Sequence, residues 1–204
     1  MKTSKLISLI LCGTIALCFA GCGTSPETAA PSSEATQAES SEAPAAPDNS
    51  DDEFVSKYAA FAVTSNSLKD GFWDEITANS VAGQNLSPDL SWEPVEGASC
   101  YAIYMVDLNT HYVLHWIQGD ITDTSLPQGF ADSKYYVGMS PAPNDTHKYT
   151  VYVFALKAPV ERVKGSKGIN PKTAEFMAAL DTDKDGNTGN IIAVGRISGK
   201  YTGK

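Results

Sequence analysis

Side chains that can bind a ligand, or act on one, are concentrated in two short stretches of this sequence. The first (DLNTHYVLHW) contains Asp107 and His115, and the second (GMSPAPNDTHKY) contains His147 and Tyr149. The chain has three histidines, and the third, His111, also lies in the first stretch, where we expect a solvated loop residue. A carboxylate that folds next to two imidazoles forms a polar site.

Two kinds of chemistry fit these residue types. The ring N–H groups of His115 and His147 and the Tyr149 hydroxyl can donate hydrogen bonds to an oxyanion. Asp107 would then accept a hydrogen bond from a histidine ring and fix its orientation, or receive the ammonium group of an ethanolamine-like ligand. The same aspartate and histidines also form a minimal general-base set, so a hydrolase is the alternative. Because G-x-S-x-G and H-E-x-x-H motifs are absent from the sequence, we predict binding without catalysis.

Strand-forming runs adjoin both stretches. The run YAIYMV precedes Asp107, and the run HWIQGDI begins at His115. A third run, YTVYVFAL from Tyr149, is apolar or aromatic on both faces, which predicts a central strand covered on both sides. Further short strands are predicted at 61–64, 90–92 and 191–197, with one helix at 172–180. Short strands separated by turn residues are typical of an all-β sandwich or barrel.

The N-terminus predicts export and lipid attachment. Residues 1–22 combine a charged start, a short apolar run and the sequence FAGC, which resembles the lipobox of bacterial lipoproteins. The apolar run is too short for a membrane-spanning helix. We expect Cys22 to become the acylated N-terminus, which would anchor the protein at the extracytoplasmic face of the cell membrane. An ordinary secretory signal cut nearby is the alternative.

Residues 23–53 are predicted to be a disordered tether. They are rich in Ser, Ala, Pro, Thr and Glu, and they contain eight acidic residues and no basic ones. Such a segment cannot bury enough apolar surface to offset its conformational entropy. Residues 54–204 then form one domain with 16 acidic and 13 basic residues, a net charge of −3. Because no basic stripe is present, we predict no nucleic-acid partner.

Five segments of this domain resemble the phosphatidylethanolamine-binding protein family, in its bacterial Raf-kinase-inhibitor-like branch. They are GQNLSPDLSW, the Asp107 segment, the His-Trp pair at 115–116, residues 136–149 and IIAVGRISGKY. The resemblance covers residues 61–201 and implies an antiparallel β-sandwich with one or two short peripheral helices near the C-terminus. It also implies a small pocket that binds phosphate or a phosphorylated headgroup. The pocket residues that it implies are Asp107, His115, Gly138, His147 and Tyr149.

The sequence departs from the family pattern around this pocket. The family's DPD signature is Asp107-Leu108-Asn109 here, Ser140 stands where glycine is usual, and Ala142 interrupts a Pro-Pro pair. We therefore expect a retained pocket with an altered rim. The sequence identifies no protein partner, and a protease inhibitor or other interaction module that uses its loops is a further alternative.

One acidic segment outside the pocket resembles a calcium loop. The sequence DTDKDGNTGNII places Asp181, Asp183 and Asp185 at the spacing of calcium ligands in an EF-hand. The twelfth position, where a bidentate glutamate is usual, is Ile192. Weak calcium binding and a solvated acidic turn are therefore both compatible with this segment.

Overall fold

A computed structural model describes residues 48–169 and 172–204. The strands in this part of the chain are β1 (Ala59–Phe61), β2 (Leu68–Lys69), β3 (Phe72–Trp73), β4 (Leu90–Ser91), β5 (Cys100–Asp107), β6 (Val113–Ile121), β7 (Ser125–Leu126), β8 (Thr146–Leu156) and β9 (Ile191–Thr202). The helix α1 spans Thr173–Leu180, and two 3-10 helices span Glu75–Thr77 and Leu108–Thr110. The predicted signal, Cys22 and residues 23–47 of the predicted tether lie outside the described residues. No helix in the described ranges is long and apolar enough to cross a bilayer.

The main sheet has the strand order β2-β3-β9-β8-β5-β6, and β1 also pairs with β9. Strands β9, β8, β5 and β6 are antiparallel neighbours, and β4 pairs with β7 in a small second sheet. The predicted mostly-β fold with a short helix near the C-terminus is confirmed. The short strands β1 and β3 pair with β9 in parallel, unlike the antiparallel sheet expected. They are far from β9 in sequence, so no hairpin turn dictates the direction of pairing.

Strand β8 separates two hydrophobic cores, which confirms its predicted central position. Tyr149 and Val151 belong to the core that the small β4–β7 sheet covers. Tyr152 and Phe154 point to the opposite face, where Phe176 of α1 completes the second core. Because successive side chains of a strand alternate between faces, an apolar residue at every position requires cover on both sides.

The last residues of the predicted tether are packed against the domain, which corrects the predicted boundary at residue 53. Asn49 is 3% exposed and donates a hydrogen bond from Nδ2 to the Val194 carbonyl over 3.0 Å. The Arg196 guanidinium forms ion pairs with Asp51 and Asp52. Composition alone classed these residues with the tether because their partners lie 100 or more residues away in the sequence.

The acidic loop after α1 is a hydrogen-bonded turn, one of the two possibilities that the sequence left open for this segment. Asp183 Oδ1 accepts hydrogen bonds from the amides of Asp185 and Asn187, both over 2.9 Å. Asp181 Oδ1 accepts the Ile191 amide over 3.1 Å. Within the described ranges, no group of three or more His, Cys, Asp or Glu residues is arranged to hold a metal. The carboxylate oxygens therefore satisfy backbone donors of the turn itself.

Asp89 connects the loop before β4 to the segment before β2. Its half-buried carboxylate accepts the amides of Asn66 and Ser67, both over 2.8 Å, and a hydroxyl hydrogen bond from Ser65. Burial by itself raises the pKa of Asp89, but these hydrogen bonds outweigh burial and hold the pKa below its ordinary value of 3.8. The stabilisation is therefore fully present above about pH 4 and lost as the pH falls through the lowered pKa.

We accordingly expect Asp89→Asn to lower the free energy of unfolding by about 1–2 kcal/mol at neutral pH. The difference from the unchanged protein should shrink as the pH falls from neutral through the lowered pKa of Asp89, because both side chains are then uncharged. Urea denaturation across this pH range measures both values. A difference that stays constant with pH would show that the Asp89 charge contributes nothing to stability.

Candidate functional site

The predicted site residues meet at one end of the main sheet. Strand β5 ends at Asp107, whose partner on the neighbouring strand β8 is Tyr149. His147 precedes Tyr149 by two residues and therefore lies on the same face of β8. His115 comes from β6, on the other side of β5. The strand pairing thus gathers side chains that are about forty residues apart in sequence.

A β-bulge in β6 positions His115. Val106 pairs with Leu114 and Met105 pairs with Trp116, so His115 is an extra residue between two normal pairs. Leu114 and Trp116 are both fully buried, and they belong to the two different cores. A bulge redirects a side chain and is common beside binding sites.

The His115 ring is held by two backbone carbonyls. Its Nδ1 lies 2.9 Å from the Val137 oxygen and 3.2 Å from the Gly138 oxygen. Carbonyl oxygens only accept hydrogen bonds, so Nδ1 must carry the proton. The residue is 9% exposed, and this burial lowers the pKa of His115 against the opposing effect of the carbonyl bonds. The neutral imidazole with hydrogen on Nδ1 is therefore the favoured form at neutral pH.

Asp107 holds the second imidazole. Its Oδ2 lies 2.6 Å from Nδ1 of His147, and its Oδ1 accepts the Asn109 amide over 2.8 Å. The aspartate is 3% exposed, whereas His147 remains partly exposed. An ionised carboxylate only accepts, so Nδ1 of His147 also carries a hydrogen. Asp107 therefore fixes the orientation of His147 from beneath the site.

Tyr149 lies between the two imidazoles. Its ring makes an edge contact with His115 at a centroid distance of 5.2 Å and a stacked contact with His147 at 6.2 Å. The side chain is buried, and its hydroxyl lies near Asp107 and the Ser140 backbone. Burial, followed by the Asp107 charge, raises the pKa of Tyr149, so its phenol stays protonated. Tyr149 therefore forms the wall between the histidines.

Gly138 is required for close packing of the backbone. A Cβ at this position would lie 2.4 Å from the Thr77 oxygen and 2.5 Å from the Asn79 nitrogen. Gly138 is one of the pocket residues that the family resemblance implies, but its amide donates to Asn85 Oδ1 over 2.6 Å. Gly138 contributes its carbonyl to His115 and leaves no free amide for a ligand.

Both imidazoles keep Nε2 open. The hydrogen bonds of His115 and His147 within the described residues all involve Nδ1. Neither Nε2 belongs to the buried polar atoms without a partner in this part of the chain. The His147 side chain is partly exposed, whereas His115 is 9% exposed. The site therefore has two imidazole rings, those of His115 and His147, on either side of the Tyr149 ring. The Asp107 carboxylate contacts the His147 ring. Such a site can exchange protons and hydrogen bonds with a small ligand.

Three features of the site were not predicted. Asn85, which holds Gly138, has a left-handed backbone with φ 57°, a conformation that asparagine tolerates. Val137 supplies the shorter carbonyl contact to His115. The loop after Asp107 forms the 3-10 helix Leu108–Thr110, and the residue that follows it, His111, is exposed and has φ 57°. The Gln-Asn pair in the loop GQNLSP could have pointed to Asn85. The role of Val137 could not be read from the sequence, because it uses the backbone carbonyl and not the side chain.

Comparisons with known proteins agree with this architecture. Residues 44–200 match the family model described as phosphatidylethanolamine-binding protein. The crystal structure of Escherichia coli YbcL, described as a member of the mammalian PEBP family, aligns with a TM-score of 0.53 and 24% identity over 71% of this chain and 99% of that chain. The PEBP homologue CT736 from Chlamydia trachomatis aligns with a TM-score of 0.51 and 20% identity over 71% of this chain and 98% of that chain. A search of curated protein sequences finds no significant match.

Proposed function

Because the chain belongs to the phosphatidylethanolamine-binding protein family, we propose that it is a binding protein for a small anion. The ligand is phosphate or a phosphorylated headgroup, and the protein performs no catalysis of its own. One observation carries the proposal: two imidazoles with anchored Nδ1 atoms present open Nε2 atoms on either side of Tyr149. The proposed pocket is lined by Asp107, His115, Gly138, His147 and Tyr149.

The contacts around the imidazoles support this assignment. Asp107 is a buried carboxylate, and an anion placed directly against it would be repelled. Its oxygens are engaged by His147 and the Asn109 amide, so its charge acts through the His147 ring. The imidazole edges are therefore the groups that meet the ligand.

We also propose that the protein is held at the extracytoplasmic face of the cell membrane. The lipobox-like sequence at Cys22 supports lipid attachment, and the acidic residues before the domain would repel an anionic surface. The pocket would then lie above the membrane, within reach of soluble phosphorylated molecules and of headgroups.

Titration with phosphate or O-phosphorylethanolamine tests the pocket directly. We expect the NMR signals of the His115 and His147 rings to shift, because their Nε2 atoms meet the ligand, while the His111 signals stay in place. His115→Ala should abolish the response. Shifts at His111 alone, or an unchanged response in His115→Ala, would contradict the proposed pocket.

The short Asp107–His147 contact favours one second candidate, a hydrolase that uses His147 as a general base. Turnover of a panel of esters and phosphoesters separates the two functions. Turnover that is lost in His147→Ala supports the hydrolase. Ligand-induced shifts without turnover support the binding protein.

A further inference from the structure

A groove of about 360 Å³ lies on the face of β8 opposite His147 and Tyr149. Successive side chains of a strand alternate between faces, so Thr150 and Tyr152 lie on this second face. Tyr152 belongs to the second core, and it marks the end of the apolar part of the face. The polar pairs that β8 and β9 place beyond it are Thr150–Ser198, Lys148–Lys200 and Thr146–Thr202. The sheet itself therefore separates this groove from the predicted pocket.

Two segments from outside the sheet form the walls of this groove. One is the folded segment that precedes β1, where Asp52 accepts a hydrogen bond from the Tyr152 hydroxyl over 2.5 Å and Glu53 is exposed. The other is the loop after β5, which contributes Tyr112. The Tyr112 ring makes an edge contact with Phe54 at a centroid distance of 4.9 Å, so the two walls support each other. The groove is therefore formed by the fold itself, as most small-molecule sites are.

The backbone at Tyr112 is strained, which supports a role in binding. Tyr112 has φ 64°, and His111 before it has φ 57°, so two successive residues with side chains are in the left-handed region. This conformation is unfavourable for a bulky residue and persists only where surrounding contacts enforce it. Here the contact with Phe54 and the hydrogen bond from the Tyr112 amide to the Asp107 oxygen, over 3.0 Å, hold Tyr112 beside the groove. Such strain is concentrated at ligand sites.

The groove presents both hydrogen-bond donors and hydrogen-bond acceptors. The hydroxyls of Thr150 and Ser198 lie 2.7 Å apart, so one donates to the other and the second leaves its hydrogen for a ligand. The exposed Lys148 ammonium donates, whereas the exposed Glu53 carboxylate accepts. The Tyr112 hydroxyl remains a donor, because burial, ahead of the neighbouring carboxylates, raises its pKa. A matching ligand must therefore both donate and accept.

The charges that line the groove nearly cancel. Its three acidic and two basic residues leave a net charge of −1, and they are Asp51, Asp52, Glu53, Lys148 and Arg196. The Arg196 guanidinium is paired with Asp51 and Asp52, so these two carboxylates are already compensated. Long-range attraction for a strongly charged ligand is therefore weak, and recognition depends on hydrogen bonds.

We propose that this groove is a second binding site and that its ligand is a sugar. Each hydroxyl of a sugar both donates and accepts, so it can pair with either kind of group in the groove. An oxyanion only accepts and would be repelled by Glu53, while an ammonium ion only donates and would be repelled by Lys148. The C–H face of a sugar ring can pack on the Tyr112 ring. The volume of about 360 Å³ lies in the range of small-molecule sites.

NMR titration of the full chain with sugars tests the proposal. Glucose, galactose and N-acetylglucosamine serve as free sugars, and the trisaccharide of N-acetylglucosamine serves as a glycan chain. We expect the amide signals of Thr150 and Ser198 to shift, while the His115 signals stay in place. Tighter binding of the trisaccharide would identify a glycan chain as the source of the ligand, and equal binding would identify a free sugar. Sulfate and choline are the charged controls and should shift neither amide.

Ser198→Ala and Thr202→Val form a matched pair of variants. Each removes one partner of a hydroxyl pair between β8 and β9, because the Oγ1 atoms of Thr202 and Thr146 lie 2.8 Å apart. Ser198 lines the groove, whereas Thr202 lies outside it. We expect Ser198→Ala to weaken sugar binding by about fivefold or more, since a hydrogen bond to the ligand is lost, and Thr202→Val to leave the affinity unchanged.

The outcomes bear on the groove alone, because the predicted anion pocket lies on the other face of β8. A sugar response that weakens in Ser198→Ala and persists in Thr202→Val would support the proposal. A sugar response that Ser198→Ala leaves intact would overturn it, as would shifts with choline or sulfate in place of sugars. Amide signals of Thr150 and Ser198 that respond to no sugar would overturn it as well.

Discussion

Gly138→Ala is expected to lower the free energy of unfolding by about 3 kcal/mol. The new Cβ would lie 2.4 Å from the Thr77 oxygen and 2.5 Å from the Asn79 nitrogen, both backbone atoms that cannot rotate away. The segment carrying Gly138 would have to move, and its carbonyl would then leave Nδ1 of His115. Urea denaturation of the full chain measures the loss, and the phosphate response of His115 should weaken in the same variant.

Gly71→Ala is the matched control for this prediction. Gly71 has φ +80°, and its added Cβ would meet no atom within 4 Å. This substitution should cost about 1 kcal/mol through backbone strain alone and leave the histidine signals unchanged. Equal losses of stability in the two variants would show that close packing at Gly138 is not what requires glycine there.

Asp107→Ala is expected to lower the free energy of unfolding by about 3–5 kcal/mol. The carboxylate is buried and accepts from Nδ1 of His147 and the Asn109 amide. Alanine leaves these donors without their acceptor, which costs more than the net value of the bonds. The affinity for the ligand should fall as well, because the His147 ring would lose the carboxylate that orients it.

Two further variants define what Asp107 contributes. Asp123 is exposed, so Asp123→Ala should change the free energy of unfolding by no more than about 0.5 kcal/mol. Asp107→Asn keeps the volume but loses the charge, and its NH₂ group would compete with the ring hydrogen of His147. We expect it to reduce phosphate affinity even under conditions where the protein is fully folded. If Asp107→Ala lowered the free energy of unfolding no more than Asp123→Ala, Asp107 would not stabilise the fold as a buried hydrogen-bond acceptor.

Local patterns determined most of the fold. The apolar run from Tyr149 predicted a strand covered on both faces, and residues 149–156 are buried between two cores. The helix predicted at 172–180 is observed at Thr173–Leu180. These predictions succeed because the spacing of apolar residues reflects which face of a strand or helix is buried. The sequence likewise indicated that the histidines and Asp107 lie at the ends of neighbouring strands.

The chemical state of the site was decided by tertiary structure. The bulge at His115 depends on the register between β5 and β6, which local spacing does not encode. The hydrogen on its Nδ1 depends on the carbonyls of Val137 and Gly138, and backbone acceptors carry no side-chain signature in a sequence. Gly138 was predicted to be a pocket residue, yet its amide donates to Asn85, 53 residues earlier in the chain.

At the start of the folded domain, too, amino-acid types predicted one state and distant contacts produced another. Composition marked residues 48–53 as tether because they are polar and acidic, and their amino-acid types alone justify that prediction. They are nevertheless anchored, because Arg196 of β9 pairs with Asp51 and Asp52 from the far end of the chain. The sequence by itself determined which segments form strands and which residues are candidates for binding. Only the tertiary structure decided which atoms of those residues remain open, since each partner comes from a distant part of the chain.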